Sequence, residues 1–369
     1  MVPGPLAVLH QAIDPPVIDG ARKPLKVGGY ADSGADIASA LRGIGVPVMT
    51  PAPLPDPARH EGWTFPDTPE GISEALAQGA QVLWANTVLF AGHPIERISG
   101  VSIVGQRPAD VHRFDDKWQT RNFLLEAGLP FPAAILVGVD GDALLPAGAL
   151  DDALLDKLRI GPGAIVKPVR GRGSQGVSFA ESAARVREVL GTLFSAASPD
   201  SDDKLPIYGS RAMVEEFLPG EEITIAVLPP GEYLRHGRLR GEPRHWALPA
   251  IRRTGHQAGI APYSGVVPIV RNSVPLLPDE AKHPDVLAAV AACERAAELI
   301  GARAAVRIDC RRSRAGQFTL FDVNLKPNLT GPGRPGRENE ESLVALAART
   351  AGWSYPELLR ELLRGAWRS

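Results

Sequence analysis

The sequence predicts an α/β protein of more than one domain, on three observations. At 369 residues the chain is longer than one small hydrophobic core can fill. From Pro24 to about residue 105, short apolar runs alternate with helical stripes, the pattern of a parallel sheet with helices on its faces. From Ala164 onward, strands instead come in pairs around short turns with helices between them, and two helices close the chain.

Composition narrows the class without fixing the function. The chain is 44% hydrophobic and 22% charged, with a formal net charge of −2. So balanced a chain presents no general field for nucleic acid or an acidic membrane. Cys293 and Cys310 are too few for a disulfide framework and lack metal-site spacing, so they read as buried thiols. The N-terminus is broken by prolines and carries no basic segment followed by an apolar run. No stretch is long enough to span a bilayer, and the expected location is cytoplasmic.

Taken in order, residues 1–24 read as a proline-rich arm or an irregular strand. Leu25–Val27 reads as a strand turned by Gly28 and Gly29, and Ile37, Ala38 and Leu41 mark a helix ending at Gly43 and Gly45. Strands follow at Val46–Met49, Gln81–Ala85 and Ser102–Val104, with a helix near Glu70–Ala77. Asp115–Gly128 is a helix with apolar Trp118, Phe123 and Leu124. Lys117 sits in its first turn, where a cation opposes the helix dipole and suggests another role. Ala164–Val169 and Val177–Phe179 are strands, and Ser182–Phe194 is a helix with a Val186, Val189, Leu190, Leu193 stripe. A polar linker over Ser195–Lys204 leads to strands at Arg211–Leu218 and Glu222–Leu228. Glu232–Gly255 is basic and irregular around a strand-like Trp246–Ile251, and Gly255–Gly265 is a loop. Asp285–Ile300 is amphipathic and stopped by Gly301. Helices over Glu338–Ala351 and Pro356–Trp367 close the chain.

Chemistry concentrates in residues 303–328, two strands (Ala304–Asp309 and Gln317–Asn324) joined by a polar turn at Gly316. Alternation puts Arg307 and Asp309 on one face of the first strand. It puts Leu320, Asp322 and Asn324 on one face of the second, with Phe321 and Val323 behind. Two carboxylates meeting on an apolar sheet would cost several kcal/mol or protonate if left unpaired. Either Arg307 neutralises them or a hard divalent cation does, since Mg2+ favours carboxylate and amide oxygens.

A second motif, Gly171-Arg172-Gly173-Ser174-Gln175-Gly176, fits G-x-G-x-x-G. A dinucleotide site would need a helix to open at these glycines, whereas Val177-Ser178-Phe179 continues as a strand. A Walker loop needs a following Gly-Lys-Ser/Thr, and a protein kinase places its lysine downstream of the loop. Here Lys167 precedes it. What remains is a glycine-rich hairpin whose amides can cradle phosphate, or a structural turn with solvated arginines. In Met213–Thr224, Glu215 and Phe217 alternate with Val214 and Glu216, and Glu222 follows a tight turn. These acids suit a ribose, or simply a solvated strand edge.

Together, Lys117, VKPVRGRGSQGV, VEEFLPGEEITIAV and RID…FDVNLKPN stand in the order found in the ATP-grasp superfamily. The chain most resembles the D-alanine–D-alanine ligases and related carboxylate–amine ligases, well over residues 105–369 and more loosely before. The resemblance implies an ATP-grasp fold: an N-terminal parallel α/β domain (1–106), a central lid domain (107–205) and a C-terminal mixed-sheet domain (206–369). It implies ATP and Mg2+ (or Mn2+) as cofactors. Lys117 and Lys167 would contact phosphates, Gly171, Gly173, Ser174 and Gly176 would form the lid, Glu215, Phe217 and Leu218 would line the adenine site, and Glu222 would hold the ribose. Asp309, Asp322 and Asn324 would bind the metal, with Asp322 in place of the usual glutamate. Arg307, Lys167 and Ser342 would be catalytic. The implied reaction is ATP-dependent formation of an amide bond through an acyl phosphate from small-molecule carboxylate and amine substrates, in a protein often homodimeric. A small-molecule kinase and a nucleotide-binding regulatory protein are the alternatives.

Two departures fall where substrates sit. Gly28-Gly29-Tyr30-Ala31-Asp32-Ser33 lacks the family's serine-x-glutamate, and Asn328 replaces a usual glycine before the added Thr330–Arg337 segment. They point to an amino-acid or peptide-like substrate other than D-alanine, with Arg334 or Arg337 and the helix N-terminus near Ser342 gripping a carboxylate. His256, Tyr263 and Ser264 fall in a covering loop, where His256 reads as an exposed loop histidine.

Overall fold

The computed structural model describes residues 4–23, 27–139, 145–171, 173–196, 206–235, 237–257, 259–261 and 268–369. The first sheet contains β1 (Leu6–His10), β2 (Val48–Met49), β3 (Phe65–Pro66), β4 (Val82–Asn86) and β5 (Ser102–Val104), all joined by parallel pairings. Its central strand is β1, apolar almost throughout because both faces are covered. The proline-rich opening therefore hides the strand on which the sheet is built. The expected strand at Leu25–Val27 falls mainly on residues outside those described, and Val27–Tyr30 is a 3-10 turn.

That turn sets the entry to α1 (Ala31–Gly43). Gly28, Gly29 and Tyr30 are all left-handed, at φ of 72°, 54° and 67°. Gly29 has a second constraint, since a Cβ there would lie 1.9 Å from the Gln11 carbonyl oxygen, whereas one at Gly28 meets open space. α2 (Pro69–Ala77) and α3 (Pro108–Phe114) follow. The next helix, α4 (Lys117–Glu126), is capped by Asp116, whose Oδ1 accepts from Gln119 N at 2.8 Å.

The second sheet runs β7 (Leu145–Pro146), β6 (Ala134–Gly138), β10 (Arg211–Glu216), β8 (Ala164–Pro168), β9 (Ser178–Ala180). With α5 (Asp152–Lys157) and α6 (Ala183–Ser195) it has its own core of Val137, Val166, Val186, Leu190 and Val214. The polar linker lies mostly outside the described residues.

The third sheet is antiparallel, in the order β16 (Ser273–Pro275), β15 (Ile251–Arg253), β11 (Glu222–Leu228), β17 (Val306–Arg312), β18 (Phe318–Asn324), with β14 (Trp246–Ala247) on β11. The basic region expected to be irregular instead forms the hairpin β12 (Gly231–Arg235) and β13 (Arg238–Glu242). Its period of two is hard to read because residues 237–241 are exposed on both faces. Short helices α7 (Ile269–Asn272) and α8 (Pro278–Ala281) precede the amphipathic α9 (Pro284–Leu299), which covers one face of the third sheet with Val286, Ala289, Cys293 and Ala296.

α10 (Leu343–Thr350) starts five residues later than expected, because Glu338–Glu341 offers no apolar stripe and Ser342 is the cap. α11 (Tyr355–Arg364) stops at Gly365, and Trp367–Arg368 returns as β19, antiparallel to β5. Trp367 Nε1 donates to Gly105 O at 2.7 Å. The C-terminus thereby closes the edge of the first sheet. α1, α10 and α11 share one core with Tyr233, Trp246 and Trp353, which joins the first and third sheets. Among the described residues, no helix is long and apolar enough to cross a membrane.

Gly29→Ala should therefore cost several times as much stability as Gly28→Ala, for which about 1 kcal/mol of left-handed strain is expected. Urea unfolding of the two variants measures this; equal losses would refute the close-approach account.

Candidate active site

The acidic hairpin forms, with one change of register. Arg307 faces Asn324 and Asp309 faces Asp322 across β17 and β18, but Cys310 then pairs with Leu320. Phe321 is the extra residue of a β-bulge, which re-aims the side chains beside it. Leu320, expected beside Asp322, instead sits fully buried in the core with Cys310. Phe321 lines the cavity over the hairpin, with Lys167 Nζ 6.0 Å from its ring centroid. The two carboxylates do share a face.

β11 supplies the third row of this surface. Thr224 lies opposite Asp309 and donates from Oγ1 to Asp309 Oδ1 at 2.7 Å, while Arg307 Nη2 donates to Asp309 Oδ2 at 2.9 Å. Lys117 bonds Asp322. The employment suspected for Lys117 is thus a carboxylate on another element. Burial opposes ionisation of Asp322, but Lys117 and Lys167 together hold its carboxyl down at about 2. Asn324 Oδ1 accepts from Lys326 N at 3.0 Å.

Lys167 approaches from the second sheet. Its ammonium lies 2.7 Å from Glu215 Oε1 and donates to the Phe321 carbonyl at 3.0 Å, so it touches both sheets. Lys167 is 4% exposed and Glu215 4%. Glu215 is therefore no solvated strand edge. Burial raises its carboxyl, and Lys167 offsets part of that rise. Glu222 is also buried, with its Oε2 2.8 Å from His256 Nε2 and 3.8 Å from Arg311 Nη1. His256 thus differs from the expected exposed histidine. Phe217 lies between Phe179, at 4.8 Å between ring centroids, and the Arg311 guanidinium at 5.2 Å.

The glycine loop turns through left-handed Gly173, Ser174 and Gly176, at φ of 56°, 59° and 71°. Gly171, Gly173 and Ser174 line the cavity, and Gly176 packs beneath on Leu193 and Tyr208. Arg172, Tyr263 and Ser264 lie outside the described residues.

Most of these groups border one cavity of about 630 Å³ between the second and third sheets, while His256, Phe179 and Gly176 stand outside its lining. The nucleotide, metal and catalytic candidates from the sequence line it except Gly176, with Lys117, Lys167, Leu218, Arg307 and Ser342 joining those already placed; Arg337 lines it too, whereas Arg334 and His256 do not. Ser342 Oγ caps α10 by accepting from Ala345 N at 3.2 Å. Thr224 and Arg253 also line the cavity; nothing local in the sequence marks them, because their place depends on which strands flank β11. Among the described residues no group of three or more His, Cys, Asp and Glu side chains could hold a metal, so the available donors are two carboxylates and an amide.

Arg334 is not free to grip a substrate carboxylate. It is 6% exposed and bonded to Asp32 and Asp36 on α1, and Arg337 joins the same acids. Burial raises the Asp36 carboxyl to about 6, against the downward pull of Arg337 and Arg334.

No protein-family model matches the chain. It is 27% identical over 249 residues to a D-alanine–D-alanine ligase of Pseudomonas putida, spanning 67% of this chain and 63% of that one. To the Acinetobacter baumannii D-alanine–D-alanine ligase it is 30% identical over 200 residues, 54% of this chain and 53% of that one. The chain thus aligns with less than two thirds of the length of these relatives. Among solved structures, the D-alanine–D-alanine ligase of Bacillus anthracis complexed with ATP superposes with a TM-score of 0.59 at 16% identity, over 98% of this chain and 96% of that one. That of Coxiella burnetii gives 0.62 at 12% identity, over 98% and 94%.

A carboxyl raised in the folded state contributes stability that is fully present below its unfolded value, near pH 4, and is lost as the pH rises through about 6. Relative to Asp36→Asn, the wild type should lose about 1–3 kcal/mol of unfolding free energy across that window. Urea unfolding from about pH 4 to 7 reads it; parallel profiles would contradict the assignment.

Proposed function

The chain has the ATP-grasp fold, and on that premise we propose that it is an ATP- and Mg2+-dependent ligase joining a carboxylate to an amine. One observation carries the reading. The cations Lys117, Lys167 and Arg307 converge from α4, the second sheet and the third sheet on the facing pair Asp309 and Asp322. An enclosed array of this kind suits a metal-bound polyphosphate, because phosphate oxygens can take the cations while a metal takes the acids.

Asp309, Asp322 and Asn324 would hold Mg2+, which would supply positive charge to offset that of the transferred group. The donor set fits, all three being hard oxygen ligands on neighbouring strands. Asp322 is one methylene shorter than the family's glutamate. Glu215, Phe217 and Leu218 would border the adenine and Glu222 the ribose, with Arg311 and Phe179 fixing the Phe217 ring. Gly171–Gly176 would cover the phosphates. The second sheet would act as the lid and the third as the catalytic base beneath it; because β10 (Arg211–Glu216) pairs with β6 and β8, the lid would run past the expected boundary at residue 205.

In the proposed reaction a carboxylate oxygen of the acid substrate attacks the γ-phosphorus, and the bond to the bridging oxygen of ADP breaks. Lys117 and Lys167 hold the phosphates in line, and Arg307 balances charge on the moving phosphoryl group. The amine then attacks the acyl carbon, phosphate departs, and the amine loses its proton. The residues contribute position and charge, which is most of what phosphoryl transfer requires of a protein. The departures at Ala31, Ser33 and Asn328 favour an amino-acid or peptide-like substrate other than D-alanine.

Phosphate release should require ATP, Mg2+, an acid and an amine together. A screen of amino acids and dipeptides in pairs tests this. Lys167→Ala should reduce turnover by about 10²–10³-fold, the scale of losing one preorganised charge stabiliser. ADP formation with a stable phosphorylated product would favour a kinase instead, and ATP binding without substrate-dependent turnover a regulatory protein.

A further inference from the structure

The segment after Asn328 does more than lengthen a loop. It runs from the third sheet to α1 of the first and packs there as backbone on backbone. A Cβ at Gly333 would lie 2.2 Å from the Asp36 carbonyl oxygen, and one at Gly331 would lie 2.4 Å from the Tyr355 ring. From this footing it delivers two arginines. Arg334 Nε donates to Asp36 Oδ1 at 2.9 Å, and its Nη2 bonds the Asp32 carboxylate. Arg337 Nε donates to Asp36 Oδ2 at 3.1 Å, and its Nη2 lies 2.7 Å from Asp32 Oδ2.

Asp32 and Asp36 stand four residues apart on one helix face, where like charges repel. The two guanidiniums close them into a square, each acid touching both arginines. Its edges differ. Asp36 and Arg334 are buried, their side chains 0% and 2% exposed, and neither borders the cavity. Asp32 and Arg337, 49% and 21% exposed, both line it, alongside Tyr30 and Ser342.

We propose that Arg334 and Asp36 are positioning residues that hold Asp32 and Arg337 as the specificity-determining edge of the substrate site, with Asp32 accepting a substrate ammonium and Arg337 a substrate carboxylate. The ligand class is a zwitterionic amino acid or peptide backbone, whose two charges fit an acid and a guanidinium already fixed side by side. Because each group has a second partner within the square, it keeps its place when a ligand takes over the Asp32–Arg337 contact. The ordering cost of binding is correspondingly small. The inference rests on the ligase reading in taking this cavity as the substrate site.

The test is equilibrium binding of amino acids to the full chain held with Mg2+ and a non-hydrolysable ATP analogue. The wild type should bind at least one amino acid about tenfold more tightly than its N-acetyl or its amide derivative, each of which lacks one charge. Asp32→Asn should weaken the parent about tenfold and leave the N-acetyl derivative unchanged. Arg337→Gln should weaken the parent and leave the amide derivative unchanged. Affinity for the ATP analogue should stay within about twofold throughout. For the buried pair, Arg334→Lys should keep the fold but raise KM for the amino acid, because one ammonium cannot hold both acids as the guanidinium does. The charge-neutral double variant Arg334→Gln/Asp36→Asn should raise KM for the amino acid, with kcat and the folded far-UV spectrum retained. The inference is overturned if derivatives bind as well as parents, if Asp32→Asn and Arg337→Gln leave binding unchanged, or if the nucleotide-bound wild type binds no amino acid. Failure to bind the ATP analogue at all overturns the ligase reading instead.

Discussion

Two carboxylates facing each other across neighbouring strands, Asp309 and Asp322, are the constraint around which the chain is built. Their mutual repulsion in a partly buried site would by itself favour protonation or unfolding. The protein meets it with Arg307 and Thr224 on Asp309 and with Lys117 on Asp322. Each of these partners belongs to an element that must be in place for the pair to keep its contacts. The acidic hairpin is therefore a tie between regions of the chain as well as a chemical surface.

The same logic extends outward. Lys167 belongs to the second sheet, but one of its hydrogen bonds goes to the Phe321 carbonyl of the third. The bulge that exposes this carbonyl also turns the Phe321 ring toward the cavity and sends Leu320 to the core. A single extra residue therefore sets the floor of the site and its contact with the glycine-loop sheet. At the far end, Arg334 and Arg337 tie α1 to the third sheet's outgoing segment. Buried ion pairs are weak evidence for stability, because desolvation offsets their attraction. Their value here is geometric, since they fix which side chains face the cavity.

The convergence of the candidate residues was largely legible in the sequence because it depends on alternation and order. Period two put Asp309 with Arg307 and Asp322 with Asn324, and a lysine at an unfavourable helix terminus signalled a distant partner. What was hidden depends on contacts between segments far apart in the chain. Strand alternation cannot show a bulge, since the extra residue exists only relative to the partner strand. Thr224 enters the site because β11 pairs with β17, 85 residues on. Arg334 meets Asp36 across 298 residues, and no local pattern announces either partner. In the fold, β1 was obscured by neighbouring prolines, whose punctuation outweighed the four apolar residues Leu6–Leu9, and β19 by its continuity with α11.

Binding of Mn2+ in the presence of ATP, with free Mn2+ read by electron paramagnetic resonance, tests the central claim most directly. The wild type should hold Mn2+ tightly only when ATP is present, and the folded Asp309→Asn/Asp322→Asn double variant should hold it at least about tenfold more weakly. Equal Mn2+ binding by the two proteins would contradict the account.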